Sequence, residues 1–414
     1  MSTPLAAAPA GPRVRTYPIS DPGRLLDRLP AEPSAAWVHR GEGLVGWGVA
    51  ASWEVTGDER FSRTQRQWSE WCQRAQVEDP LEMPGSGPVA FATFTVDPEP
   101  TSGARSLVVV PRILVGRRDG HSWVTVVGDG EPTLPPVAVP EPPSQVDWSR
   151  GSRTSSEWEA SVAEVITRIA RGELDKVVLA RDIVAELGTN FDPRYLLLRL
   201  EDAYPECWTF HVGNMVGATP ELLVRRTGDD VLSRVLAGTV KRRGEDSVDA
   251  SLAQALLGSG KDLEEHEYAV HSVARALAAH CTDLDVPDRP HVLRLANVQH
   301  LATDVTGRLA DDAPVVALAA SLHPTAAVCG TPTERALATI REIEGMDRGR
   351  YAGPIGWFDS RGDGEFGIAL RCAEIGKDRL RLFAGCGIVA GSDPEAELAE
   401  SRAKFLPIRQ ALGD

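Results

Sequence analysis

The sequence contains very little lysine. Only five of its 44 basic side chains are lysines, at positions 176, 241, 261, 377 and 404, and the others are arginines. Because acidic residues number 59, the formal charge is −15, which argues against nucleic acid or an anionic membrane as the main partner. An anionic substrate would have to be attracted locally, by a few cations or a metal. Because lysine is so rare in this sequence, the presence of each lysine needs a physical explanation.

Targeting segments and cysteine motifs are also missing. The six cysteines, at 72, 207, 281, 329, 372 and 386, show no C-x-x-C or other metal-binding spacing, so we expect reduced thiols in a cytoplasmic protein. No apolar run approaches the ~20 residues of a membrane span. Residues 1–12 lack the basic start and apolar core of a secretory signal, and we expect residues 1–14 to be a disordered tail.

The composition is that of a globular chain, with 42% hydrophobic and 25% charged residues. Residues 15–130 contain short strand and turn patterns, interrupted by helix-like segments near Asp21–Leu29 and Arg60–Gln76. Six prolines between positions 132 and 143 then indicate an extended linker, which we place at residues 131–150.

Residues 151–414 contain long helices and apolar strands. The first helix has a capping-box pattern at Ser156 and Glu159, with Gly172 as a suitable stop. Strand patterns lie at Lys176–Arg181, Cys207–Val212, Leu222–Arg226, Val231–Leu236, Tyr351–Asp359, Glu365–Ala373 and Leu380–Ala384. Further helices are predicted at 191–203, 247–258, 262–280, 312–321, 332–343 and 394–412. Because the strands come in hairpin-like runs and not in strict alternation with helices, the pattern favours an α+β fold.

The last helix carries a pattern that suggests a binding site. Pro394 suits its first position, and Glu397, Glu400 and Lys404 fall within an arc of about 60° on one face. Two carboxylates one turn apart can hold a hard cation, and an anion can bridge that cation to the lysine. The alternative is a solvated helix face with an ordinary Glu400–Lys404 ion pair.

Two charged residues stand at the edges of apolar strands. Lys176 enters the core as either a paired cation, with a nearby acid such as Asp175, or a base or nucleophile. Glu221 lies between a turn and a strand, where loss of water would favour its protonated form and suit a general acid. A surface carboxylate at a strand start is the alternative for Glu221.

The second acidic helix has the same spacing as the last one, because Asp262 and Glu265 are three positions apart. Helical phase does not separate Glu265 from Glu264 or Glu267 as a ligand. Acids in a first turn also stabilise a helix without any metal. The metal hypothesis therefore stays open for this helix.

Three more positions suggest ligand contacts. Gly238 and Thr239 follow a strand, where they suit backbone contact with a ligand oxygen or form a simple turn. Arg371 lies inside an apolar strand pattern and needs an anion, either a substrate carboxylate or a structural partner. His300 is a ligand contact or a satisfied core histidine.

Taken together, these motifs resemble the chorismate-utilising enzymes, a family that includes isochorismate, salicylate, anthranilate and aminodeoxychorismate synthases. The resemblance covers residues 155–412 and keeps the family's order. Its elements are Lys176-Val-Val-Leu-Ala-Arg, Thr219-Pro-Glu, Leu236-Ala-Gly-Thr, Glu265-His, Val298-Gln-His-Leu, Tyr351-Ala-Gly, Ile368-Ala-Leu-Arg, Gly385-Cys-Gly-Ile-Val and the acidic last helix. The family fold implies one large α+β unit of two packed antiparallel sheets flanked by helices. Residues 15–130 would belong to that unit, and residues 151–414 would bind chorismate.

The resemblance also implies a ligand set. Mg²⁺ would be held by Glu265 and Glu400, with Asp262 and Glu397 supporting it through water. The chorismate carboxylates and the pocket wall would involve Gly238, Thr239, His300, Ala327, Tyr351, Arg371, Gly385 and Lys404.

Within the family the attacking nucleophile differs between branches. Lys176 resembles the branches that use water, whereas anthranilate synthases usually carry glutamine there. Aminodeoxychorismate synthases also have a lysine, which they use covalently. Ala327, within His323-Pro-Thr-Ala-Ala-Val, resembles isochorismate synthases, because the other branches tend to have threonine.

The implied reaction is the isomerisation of chorismate to isochorismate. Lys176 would deprotonate the water that attacks C2, and Glu221 would protonate the departing 4-hydroxyl. The product would feed menaquinone or catecholate siderophore biosynthesis. A salicylate synthase is the first alternative, followed by the two aminating synthases. We expect a monomer that needs no glutaminase, nucleic acid or membrane.

Overall fold

The structure is a computed structural model that describes residues 11–31, 34–188 and 191–414. Residues 1–10 of the predicted tail lie outside the described residues. The helices are α1 (Arg60–Arg74), α2 (Ser155–Ala170), α3 (Pro193–Ala203), α4 (Asp246–Leu257), α5 (Gly260–Leu277), α6 (Val315–Leu322), α7 (Thr333–Ile343) and α8 (Pro394–Ala411). None of the helices in these ranges is long and apolar enough to cross a membrane.

The described strands all precede α8 in the sequence. They are β1 (Arg13–Ile19), β2 (Ser34–His39), β3 (Glu42–Val55), β4 (Gln76–Glu78), β5 (Val89–Thr93), β6 (Ser106–Arg118), β7 (His121–Val127), β8 (Val146–Arg150), β9 (Lys176–Leu187), β10 (Trp208–Val212), β11 (Met215–Thr219), β12 (Leu222–Thr227), β13 (Asp230–Lys241), β14 (Cys281–Asp285), β15 (His291–Arg294), β16 (Val298–Leu309), β17 (Gly330–Thr331), β18 (Pro354–Asp359), β19 (Gly364–Ile368), β20 (Cys372–Ile375) and β21 (Arg379–Ile388).

Two antiparallel layers share the long strands β3 and β6. The first layer continues from β3 through β2, β10, β11, β20 and β21 to β9. The second continues from β6 through β5, β18, β19, β12 and β13 to β16. The described pairings are antiparallel except for that between β1 and β4. The predicted α+β class with packed antiparallel sheets and flanking helices is confirmed.

The core lies between the two layers. Trp37 and Phe210 of the first layer share one apolar cluster with Phe91, Trp357 and Phe366 of the second. A second cluster covers the opposite face of the first layer, where side chains of α3 and α8 pack. Burial of large aromatic side chains supplies most of the stabilisation in such a core.

The N-terminal part of the chain is built into the same sheets. Strand β5 pairs with β18, and β2 pairs with β10, so residues 15–130 share their hydrogen bonds with the second half. The predicted tail is too long, because β1 begins at Arg13 and Val14 is fully buried. The predicted linker ends too late, because β8 pairs with β9. Residues 131–145 contain no helix or strand.

The predicted helix bounds and caps were close to the observed ones, with two corrections. The six helices predicted after residue 190 begin and end within three residues of the observed bounds. The capping box of α2 is formed by Thr154 and Glu157 instead of Ser156 and Glu159. Thr154 takes this role because its backbone is extended and its hydroxyl accepts from the amide of Glu157. The segment Asp21–Leu29 forms only a short 3-10 turn at Leu25–Arg28.

Candidate active site

A polar cavity lies where β9 and β21 of the first layer meet β13 and β16 of the second. Helices α5 and α8 complete its wall. Eleven of the residues predicted from the sequence line it, namely Glu221, Gly238, Thr239, Glu265, His300, Ala327, Tyr351, Arg371, Gly385, Glu400 and Lys404. The wall does not include three other predicted residues, Lys176, Asp262 and Glu397.

Lys176 lies just behind the cavity wall. It opens β9, which is hydrogen-bonded to both β21 and β17, and it is fully buried. Its Nζ is 3.2 Å from Oε1 of Glu265 on α5, and no atom of the described residues forms a hydrogen bond with it. The acid that faces Lys176 is thus Glu265, far away in sequence, and not the neighbouring Asp175.

Glu221 is a buried acid at the break between β11 and β12. It is only 4% exposed, and loss of water raises the pKa of its carboxyl to about 8 against the smaller opposing effects of Arg371, Lys176 and Lys404. A carboxyl with this pKa keeps its proton at neutral pH and can donate it. The alternative of a surface carboxylate is wrong.

Arg371 and His300 form a hydrogen-bonded chain across the cavity. Arg371 Nη2 lies 3.0 Å from His300 Nε2, and His300 Nδ1 lies 3.0 Å from the hydroxyl of Thr239. Because arginine can only donate, Nε2 must accept and the imidazole is neutral, with its proton on Nδ1. Burial, Arg371 and Lys404 hold the pKa of His300 well below its usual value, in agreement with this tautomer.

The predicted strand through Arg371 is wrong. Strand β19 ends at Ile368 and β20 begins at Cys372. Arg371 lies in the interruption with a left-handed φ of 47°, and its carbonyl accepts the amide of Ala218 at 3.2 Å. An apolar sequence could not reveal this break, which aims the guanidinium into the cavity and not along a strand.

Two glycines let backbone approach the acidic helices closely. At Gly387 a Cβ would collide with Oε1 of Glu265 and lie 3.0 Å from Cε of Lys176. Gly238 has φ +75°, and a Cβ there would lie 3.1 Å from Cβ of Asp262. Gly387 was not among the predicted site residues, although its position in Gly-Cys-Gly offered a signal.

The carboxylates of α5 and α8 form an acidic cluster. Glu265 and Glu400 line the cavity, and Glu397 lies one turn before Glu400, only 3% exposed. Burial and the charge of Glu400 raise the pKa of Glu397, which shows that these carboxylates repel each other. Acceptor atoms of Glu397 and Glu400 and the sulfur of Cys386 lie within 4.8 Å of one another.

This donor set fits a hard divalent cation. Carboxylate oxygens from two helices are the ligands that Mg²⁺ prefers. The neighbouring thiol of Cys386 is buried, which raises its pKa well above the usual value, so that it is no competitor as a thiolate ligand. Asp262 lies in the first turn of α5, where its backbone amide donates a hydrogen bond to the hydroxyl of the N-cap residue Ser259 at 3.3 Å.

Lysines stand beside the acidic cluster. Lys404 Nζ lies 2.5 Å from Oε1 of Glu400 and donates to the carbonyl of Gly385 at 2.8 Å, so the ordinary ion pair expected on α8 is present. Lys261 Nζ donates to Oε1 of Glu397 at 3.0 Å. Sequence reasoning did not assign Lys261 to the site.

Arg348 is a third residue that sequence reasoning missed, after Gly387 and Lys261. It lines the cavity, and it forms a buried ion pair with Glu344. Its guanidinium also donates to the carbonyls of Val178, at 2.7 Å, and Val328, at 2.8 Å. Arg348 therefore joins strand β9, which carries Lys176, to the loop that carries Ala327.

An enclosed polar cavity with a protonated acid, a buried lysine and a carboxylate cluster defines an enzyme active site for a small anionic substrate. The family model described as chorismate binding enzyme matches residues 20–133 and 136–413. The chain therefore belongs to the chorismate binding enzyme family.

Individual relatives agree with this family. The chain is 35% identical over 409 residues to the salicylate biosynthesis isochorismate synthase of Pseudomonas aeruginosa, covering 92% of this chain and 85% of the relative. It is 32% identical over 401 residues to isochorismate synthase MenF of Bacillus subtilis, covering 89% and 85%. The solved structure of MenF, the menaquinone-specific isochorismate synthase of Escherichia coli, is similar with a TM-score of 0.80 at 26% identity, covering 97% of this chain and 95% of that one.

Proposed function

We propose that this protein is an isochorismate synthase, an isomerase that adds water to C2 of chorismate and releases the 4-hydroxyl. The observation that carries the proposal is one cavity that is lined by the protonated Glu221 and has the buried Lys176 directly behind its wall. The names of its relatives from Pseudomonas and Bacillus support the same reaction.

Lys176 is the proposed base. Among the described residues its Nζ forms an ion pair with Glu265, at 3.2 Å, and has no hydrogen bond. A lysine amine held this way can take a proton from a water molecule in the cavity once it has lost its own. Ala327 leaves the cavity wall small and resembles the isochorismate synthases of the family, since the other branches tend to have threonine there.

Glu221 is the proposed acid. Its carboxyl keeps a proton at neutral pH because it is buried, and it can deliver that proton to the oxygen that leaves C4. The two roles need a neutral amine and a protonated carboxyl in one site. Neither residue forms a covalent bond to the substrate in this scheme.

Cations around the cavity would hold the two carboxylates of chorismate. Arg371 is aimed by its bond to His300, and Lys404 is held at the carbonyl of Gly385. Tyr351 is fixed by stacking on Phe383 with ring centroids 4.9 Å apart. Such positioning converts binding energy into correct alignment of the reacting atoms. Gly238, Thr239 and the amides beside Gly385 would complete the contacts.

Mg²⁺ is the proposed cofactor, held by Glu265 and Glu400 with Asp262 and Glu397 acting through water. When bound, it would supply positive charge that neutralises the substrate's carboxylate and orients it. In support of this, Glu265 in the second turn of α5 and Glu400 in the second turn of α8 line the same cavity.

The test is product analysis with purified protein, chorismate and Mg²⁺. We expect isochorismate as the enzyme-dependent product, separated and identified by chromatography. Rapid release of salicylate, beyond spontaneous breakdown, would replace our proposal with a salicylate synthase. Anthranilate or aminodeoxychorismate formed with ammonium would assign the chain to an aminating branch, and no turnover would indicate a silent homologue.

We further propose a cytoplasmic monomer that works without a glutaminase subunit. All six cysteines, each within the described residues, are free thiols, which is typical of a reducing compartment. Water as the nucleophile removes the need for an ammonia-producing partner. The isochorismate would serve menaquinone or catecholate siderophore biosynthesis.

A further inference from the structure

Three of the chain's five lysines stand at the acidic cluster, each against a different glutamate. Lys176 faces Glu265 at 3.2 Å, and Lys404 faces Glu400 at 2.5 Å. Both of these lysines have a role in the proposed reaction. The third, Lys261, faces Glu397 at 3.0 Å and has none.

Lys261 lies at the start of α5 with its ammonium turned towards the metal ligands. Its Nζ lies 3.0 Å from Oε1 of Glu397, and acceptor atoms of Glu397 and Glu400 lie within 4.8 Å of each other. The ammonium therefore stands against the carboxylates assigned to the metal. Its side chain is 38% exposed, whereas that of Glu397 is only 4% exposed, so Lys261 is the partner that can leave towards solvent.

We propose that Lys261 is an internal counter-ion that holds Glu397 in the metal-free enzyme and is displaced from it when hydrated Mg²⁺ binds. The proposal rests on the metal site of the proposed function. Lys261 competes with Mg²⁺ for the same carboxylate and thereby sets how tightly the protein binds the ion.

The charge balance of the site supports this competition. The four carboxylates assigned to the metal outnumber the three ammonium groups beside them by one. A site that is already almost neutral attracts a divalent cation weakly, since the lysines have taken up most of its negative charge. Because Lys261 is half in solvent, its removal costs little packing but leaves the carboxylates with one more uncompensated charge.

If the Lys261–Glu397 pair had a purely structural role, its loss would change the affinity for Mg²⁺ in the opposite direction. If the pair only joined α5 to α8, its loss would disorder Glu397 and weaken Mg²⁺ binding. Competition predicts tighter binding. The sign of the change in affinity therefore separates the two roles.

The experiment is calorimetric titration of Mg²⁺ into the full chain without chorismate, repeated with Mn²⁺ and paramagnetic resonance. For Lys261→Met and Lys261→Gln we expect Mg²⁺ to bind about fivefold more tightly or better, in the range of typical coupling between sites. Lys261→Arg keeps the charge and should bind like the wild type. Lys377→Met removes an exposed lysine far from the cluster and is the matched control.

Thermal unfolding gives a second measurement on the same proteins. Without metal, Lys261→Met should melt at a lower temperature than the wild type, and saturating Mg²⁺ should raise its melting temperature by more. Folded Lys261→Met and Lys261→Gln with unchanged or weaker Mg²⁺ binding overturn the proposal, as does a wild type that binds no Mg²⁺. If binding follows our expectation but chorismate is not converted, the proposed function fails and the role of Lys261 stands.

Discussion

Arg371 donates a hydrogen bond to Nε2 of His300 at 3.0 Å. The imidazole is buried, is hydrogen-bonded through both ring nitrogens and lines the cavity wall. We propose that His300 positions the guanidinium. The tautomer follows from the donor-only chemistry of arginine.

We expect His300→Ala to raise the KM for chorismate by about tenfold or more, since a hydrogen bond to a charged group contributes about 1.5–3 kcal/mol, with a smaller change in kcat. Steady-state kinetics with chorismate measure this split. His211→Asn, at a buried histidine outside the cavity, is the control and should leave KM unchanged. An equal KM in His300→Ala and wild type would show that Arg371 does not depend on the imidazole.

The raised pKa of the Glu221 carboxyl predicts that activity is lost at alkaline pH. This carboxyl has a pKa of about 8, above the ordinary value, so the protonated and active form predominates below pH 8 and is lost as the pH rises through that value. The pH profile of kcat/KM should therefore fall above about pH 8. Glu221→Gln should lower kcat by about 10²–10⁴-fold while chorismate still binds in calorimetry. Wild-type turnover by Glu221→Gln would contradict the assignment.

Lys176→Ala should abolish the attack by water. We expect a fall in kcat of about 10²–10⁴-fold, the range for loss of a general base. Lys176→Arg keeps the positive charge beside Glu265 but cannot act as a base near neutral pH, so it should be equally inactive. Normal turnover by Lys176→Ala would reject the assignment of the base.

Gly387→Ala should damage the metal site through a single methyl group. The new Cβ would collide with the carboxylate of Glu265, so we expect Mg²⁺ affinity to fall by about 10–100-fold, as for other changes around metal ligands. Calorimetric titration of Mg²⁺ measures the loss. Gly391→Ala is the matched control, because a Cβ there has no atom within 4 Å. Equal affinities for the two variants would place Glu265 outside the metal site.

Arg348→Met should destabilise the protein by about 3–5 kcal/mol, because it leaves the charge of buried Glu344 without a partner. Urea unfolding followed by circular dichroism measures this. The double variant Glu344→Gln/Arg348→Met removes both charges and should recover part of the loss. If the single variant is as stable as the wild type, the pair does not hold β9 to the loop of Ala327.

Local signals in the sequence were sufficient for the helices and for most residues of the cavity. Helix starts and stops depend on neighbouring residues, and so α8 begins at Pro394 as predicted. Eleven predicted residues share one cavity, because each stands in a motif whose spacing or family resemblance marks it. The roles assigned to them stay predictions. Strand β16 was not predicted, since Val298–Leu309 mixes polar and apolar residues, and its start was noted only as a motif of the family resemblance.

The sequence by itself determined the chemistry available to this protein: scarce lysines, paired acids on two helices and glycines beside them. Only the tertiary structure decided which lysine meets which glutamate, that Arg371 lies between two strands and that Arg348 joins the strand of Lys176 to the loop of Ala327. The physical reason is the separation along the sequence over which each kind of interaction acts. Helical periodicity and caps act over a few residues, whereas the contact between Lys176 and Glu265, or between Lys261 and Glu397, exists only after two sheets and two helices have packed together.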